Sequence, residues 1–169
     1  MKCATLYKSY HWVVSMLESI GTWFPQLVLR LILAWEFGEA GIAKYNGENW
    51  FAHITFPFPF NLVSPEFGWG IATFFEIVGA AALVLGLATR FFSISLIILT
   101  IVAIASVHWP ESWGTLGALW KGYAITDKGF GNYKLPLLLL IMLLPLLFNG
   151  AGRLSLDHLL GRFCKTKHQ

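Results

Sequence analysis

Two runs decide the fold: GIATFFEIVGAAALVLGLA from Gly70 to Ala88 and FFSISLIILTIVAIASV from Phe91 to Val107, joined only by Thr89-Arg90. About 20 mostly apolar residues suffice to carry a helix across a bilayer. The first run holds a single charge, Glu76, and the second holds none. A link this short lets the second helix return only beside the first, so the pair reads as an antiparallel membrane hairpin.

Working outward, two more spans flank the hairpin. Residues 27–44 form an apolar stretch behind Pro25, broken by Arg30, Glu36 and Glu39. Residues 134–150 form the last, with Pro136 suited to a first helical turn and Pro145 placed to kink or end it. With the hairpin at about 69–88 and 91–108, the expected fold is all-α: a polytopic four-transmembrane-helix bundle forming one domain over 1–169. Two interfacial helices flank it. One, at 9–24, carries Tyr10, Val13, Val14, Leu17, Ile20 and Phe24 at helical spacing; the other, at 154–164, carries Leu156, Leu159, Leu160 and Phe163 behind a Ser155 N-cap. Composition agrees. Charged residues make up 12% of the chain, half the usual share of a soluble domain, and 56% is hydrophobic.

Lysines and arginines set the orientation. Lys2, Lys8, Arg90, Arg153, Arg162, Lys165 and Lys167 fall on one side, and Lys44, Lys121, Lys128 and Lys134 on the other. The richer side is expected to be cytoplasmic. Both termini then face inward and both long loops face out from a bacterial inner membrane. The net charge of +3 comes without a basic run, so no nucleic-acid partner is expected. Cys3 and Cys164 make neither a disulfide framework nor a metal knuckle. The first residues lack the apolar core of a cleavable signal peptide.

Charges inside spans are costly and usually face the bundle interior. In this orientation Glu36, Glu39, Glu76 and His108 share the outer half of the membrane, with Glu36 and Glu39 neighbours on one helix face. They suggest a polar pocket open to the periplasm, suited to a metal ion, a proton relay or a small polar ligand. The structural alternative is that the carboxyls only fix helix packing. A hard or borderline metal fits these ligands better than Cu(I). Arg30 lies in the other half, well round its helix from both glutamates, and is expected with Arg90 at lipid headgroups. Trp50, Trp69, Trp109, Trp113 and Trp120 gather at the outer face as an aromatic belt, a surface a quinone or hydrophobic peptide would also use. No histidine pair sits on facing spans for a haem, and no catalytic motif is present, so no activity of the chain's own is expected.

Arg30, Phe37-Gly38, Gly41 and Lys44, then Glu76-Ile-Val-Gly79 through Leu85-Gly86-Leu87-Ala88-Thr89-Arg90, and finally Asn149-Gly-Ala-Gly-Arg153-Leu-Ser-Leu-Asp157 together resemble the pattern of the DoxX family. The outer segments Asn46–Phe51, Phe56–Asn61, Val107–Pro110 and Trp120–Gly129 resemble its HvfX-type branch. That resemblance implies an accessory role in maturing, exporting or servicing a copper-binding, ribosomally made modified peptide beside its modifying enzymes. Other members are linked to quinone or thiol redox complexes, which leaves a redox subunit as an alternative. A small transporter or metal conduit is a third, requiring a homo-oligomer because four helices make a thin wall.

Overall fold

In the computed structural model, residues 2–110, 112–125 and 131–166 are described, the side chains of 2–6 and 164–166 excepted. The thiols of Cys3 and Cys164, and the side chains of Lys2, Lys128, Lys165 and Lys167 used for orientation, lie outside the described residues. So does the 126–129 part of the outer segment.

The two apolar runs form a helical hairpin, but its turn is residues 86–88, so Thr89 and Arg90, expected as the link, open the second helix. Helix α3 (Pro65–Leu85) begins at Ser64, whose hydroxyl accepts the Phe67 amide at 3.3 Å, with Pro65 in the first turn. It ends at Gly86, whose φ of +64° closes the helix in the left-handed conformation that glycine adopts freely. Ala88 follows, also left-handed, and α4 (Thr89–Ala103) starts at once, passing into a π-helical turn over Ile104–His108. The N-terminal amides of α4 receive their acceptor from far along the chain. Asp157 takes Ala88 N–H on Oδ1 at 2.7 Å and Thr89 N–H on Oδ2 at 2.9 Å.

The other elements are α1 (Lys2–Gly21), α2 (Phe24–Asn46), a short α5 (Leu116–Lys121), α6 (Lys134–Asn149) and α7 (Leu156–Thr166). The chain is helical throughout its described residues, apart from short 3-10 turns and loops. Helix α2 packs chiefly against α3 and α4 against α6, while α3–α4 and α2–α6 close the ring. Each of the four contributes to a core of fully buried leucines: Leu33, Leu83, Leu96, Leu143 and Leu146. The bundle is inverted relative to a water-soluble one. Thr89, Ser93, Thr100 and Glu76 are buried, whereas Phe74, Phe91, Ile94, Ile98 and Ile101 are exposed. So large an apolar exterior calls for an apolar surrounding.

Two helices, Pro65–Leu85 and Thr89–His108, are long and apolar enough to cross a membrane. The other two expected spans fall short of that measure for different reasons. Helix α2 has 23 residues but carries Arg30, Glu36, Glu39 and Lys44, and α6 is apolar but only 16 residues long, running through Pro145 to Asn149.

The flanking elements also shift. Helix α1 starts well before residue 9 and stops at Gly21, so Phe24 opens α2 instead of closing the flanking helix. Helix α7 starts behind Ser155, whose hydroxyl accepts the His158 amide at 3.2 Å, the expected N-cap. Its Leu159, Leu160 and Phe163 are exposed.

Candidate functional site

One face of α2 explains most of the site. Arg30, Leu33, Ala34, Phe37 and Gly41 are its buried residues, and at the same three- and four-residue spacing the stripe continues to Lys44. At Gly41 the two backbones come close. A Cβ there would stand 2.8 Å from Cγ1 of Ile77 and 3.1 Å from the Ile77 backbone nitrogen. Only glycine lets α2 lie this near α3. One turn further along α2, Lys44 donates to both carboxylate oxygens of Glu76, each at 2.8 Å. Glu76 is buried and the lysine is half-buried, so the bond is shielded from bulk solvent.

The ion pair stands where two cavities meet. The larger, about 290 Å³, is walled mainly by apolar groups, among them Trp50, Phe51 and Phe56 from the loop after α2 and Ile71, Ile98 and Val102 from α3 and α4. The smaller, about 270 Å³, lies on the α2–α6 side and reaches Glu36, Thr100, Asn132 and Leu135. Lys44, Glu76, Leu99, Ala103 and His108 line both. His108 ends the π-helical turn, a local widening of a helix often found at functional sites. Its Nδ1 is hydrogen-bonded to Asn132 Oδ1, and its carbonyl accepts the Asn132 amide at 3.0 Å.

Three of the four expected wall residues therefore come together: Glu36, Glu76 and His108. Glu39 does not join them. It lies roughly 180° round α2 from Arg30 and the buried stripe, is exposed, and lines neither cavity. Glu76 is already matched to a lysine, and among the described residues no group of three His, Cys, Asp or Glu converges to hold a metal. Lys44 and Asn132 were missed. The helical stripe from Arg30 pointed to Lys44; Asn132 sits in an irregular segment with no periodic signal.

The tryptophans divide as well. Trp50 and Trp69 flank Phe51 edge-to-face, at ring-centre distances of 5.1 and 5.0 Å, and Trp50 lines the larger cavity. Trp109 stacks on Tyr133 at 5.3 Å and Trp120 on Tyr123 at 4.9 Å. Trp113 stands edge-on to Trp109. None of these three lines a cavity.

Arg30 corrects the headgroup expectation. It is 2% exposed, and its guanidinium fork donates through Nη1 to Ala151 O at 2.9 Å and through Nη2 to Val84 O at 3.4 Å. Arg90 is exposed, yet its Nη2 reaches Phe148 O at 3.1 Å. With Asp157 capping α4 and its amide donating to Gly86 O at 2.9 Å, these residues clamp α7 and the end of α6 to the hairpin turn. The clamp lies roughly 21 Å along α2 from Lys44. It is a packing device at the opposite end from the cavities.

Residues 26–109 match the family model described as DoxX. That stretch holds Arg30, Lys44, Glu76 and His108. A protein of Haemophilus influenzae, described as uncharacterized, is 42% identical over 153 residues, covering 89% of this chain and 93% of the relative. No solved structure matches the chain.

Proposed function

The chain belongs to the DoxX family of membrane proteins, and on that premise we propose that it is a four-span inner-membrane accessory protein whose periplasmic end receives a copper-binding modified peptide. Helices α2, α3, α4 and α6 are the spans, both termini are cytoplasmic, and lipid surrounds the exposed apolar flanks. The observation that carries the reading is the two-lobed chamber meeting at Lys44, Glu76 and His108 beneath aromatic loops. A chamber of this kind binds and positions a ligand. The choice of peptide rests on the likeness of the outer segments to the HvfX-type branch.

The chamber supports the peptide reading through its two chemistries. Aromatic walls accept the flat heterocycles of a modified backbone, and the ion pair with His108 supplies donors and acceptors at fixed places. A redox-subunit reading draws on the same apolar lobe, which would hold a quinone ring. The deciding experiment is a chromosomal deletion complemented with wild-type or Glu76→Gln protein. The proposal expects modified peptide to accumulate unexported or incompletely matured in the deletion and in the variant. Normal maturation and export in the deletion strain would overturn it.

A further inference from the structure

The larger lobe combines the aromatic loop wall offered to the peptide with an apolar flank on α3 and α4 that a peptide would leave unused. Its lining includes Ile71 on α3, Ile98 on α4 and Val107 in the π-helical turn that continues α4, all apolar and partly exposed, and among the described residues these are the two helices of full spanning length and apolarity. Ile71 and Ile98 thus expose the lobe between α3 and α4, on the flank that the proposed membrane placement turns to hydrocarbon, while Phe60 and Val63 expose it at the outer loop. At the inner end lie Lys44, Glu76 and His108. The lysine and glutamate neutralise each other through two 2.8 Å contacts, so this floor offers N–H donors and carboxylate lone pairs at no net charge. An ionised head would have to displace one partner from the other inside a shielded site, which is unfavourable. A neutral head with a carbonyl or hydroxyl oxygen binds without breaking the pair.

We infer that the larger lobe is a laterally loaded site for an uncharged long-chain amphiphile, its chain between α3 and α4 and its oxygen-bearing head against Lys44, Glu76 and His108. Trp50, Phe51 and Phe56 line the site from the outer loop. The smaller lobe, lined by Glu36 and Asn132, stays free for a polar occupant. The inference rests on the membrane placement of α3 and α4 and is independent of the peptide.

The test uses full-length protein in lipid nanodiscs with three photoreactive diazirine chains of equal length, bearing a hydroxyl, a carboxylate or a quaternary ammonium head. Crosslinked peptides are then located by mass spectrometry. The alcohol should label segments containing Ile71–Ala72 and Ile98–Val107 several-fold more than either charged chain does, and excess unlabelled fatty alcohol should compete. Val102→Trp, which fills the lobe, should remove most of that labelling, whereas Ile141→Trp on the exposed face of α6 should not. Should Val102→Trp fail to fold, the paired change Lys44→Met with Glu76→Leu reads the same point: alcohol labelling should fall several-fold because the head loses its hydrogen-bonding partners, and undiminished alcohol labelling would overturn the inference. Equal labelling by all three heads, or labelling spread along Phe74 and Ile94 and indifferent to Val102→Trp, would overturn the inference. Loss of peptide dependence in the deletion strain would leave the labelling pattern intact, so the two failures are separable.

Discussion

Lys44 and Glu76, 32 residues apart, form a two-pronged ion pair across the α2–α3 interface, with Nζ 2.8 Å from each carboxylate oxygen. Breaking a buried pair by removing one partner strands the other charge and costs about 3–5 kcal/mol, whereas replacing both with apolar residues is often close to neutral. Glu76→Ala should therefore lower the melting temperature of the detergent-solubilised protein clearly. Combining Lys44→Met with Glu76→Leu should recover most of the loss. A double variant no more stable than Glu76→Ala would mean that the pair is not the interaction being removed.

The close approach at Gly41 makes a graded prediction. Gly41→Val places carbon where Ile77 and Glu76 already stand and should cost about 1–3 kcal/mol by overpacking. Gly38→Ala meets only the Cβ of Ala80 at 3.5 Å and should be nearly silent. Thermal unfolding of the two variants side by side checks the order, and a larger loss for Gly38→Ala would refute the packing.

At the opposite end, Asp157→Ala removes the acceptor for two α4 amides and should cost about 0.5–2 kcal/mol, as for loss of an N-cap. Arg30→Lys keeps the charge but loses the fork that spans Ala151 O and Val84 O, so it should destabilise despite being conservative. Gly86→Ala combines a left-handed backbone with a Cβ 2.5 Å from that of Ser155 and should be the worst of the three. Protease resistance of the α7 segment reads this clamp directly, and wild-type resistance in Gly86→Ala would count against it.

Much of this was legible in the sequence because membrane helices declare themselves by composition. The hairpin and the Ser155 cap followed from apolar runs and residue type, but the turn lies at residues 86–88, ahead of the expected link, because Gly86 ends α3 in the left-handed conformation. The acidic layer was read only partly. Glu36, Glu76 and His108 line one cavity, but depth along a helix does not give direction around it, and Glu39 points away. Arg30 was misjudged because a single span shows no partners; its acceptors are carbonyls of α3 and of the segment before α7, 54 and 121 residues away. Lys44 was counted as a loop charge although the stripe from Arg30 through Phe37 and Gly41 leads to it.

The proposed topology, four spans with both termini inside, predicts an accessibility pattern. In a background with Cys3 and Cys164 replaced, Glu48→Cys should react with a membrane-impermeant maleimide in permeabilised-outer-membrane cells. Arg153→Cys should react only after the inner membrane is lysed. Labelling of both positions without lysis would contradict the topology.

The central claim is that the chamber around Lys44, Glu76 and His108 holds a ligand and is more than a packing feature. Mass spectrometry of what remains bound to gently extracted protein tests it most directly, comparing wild type with Glu76→Gln and Lys44→Gln at matched folded content. The account predicts a discrete bound species in wild type that both variants lose. The same content across all three proteins would contradict it and leave the ion pair a purely structural link between α2 and α3.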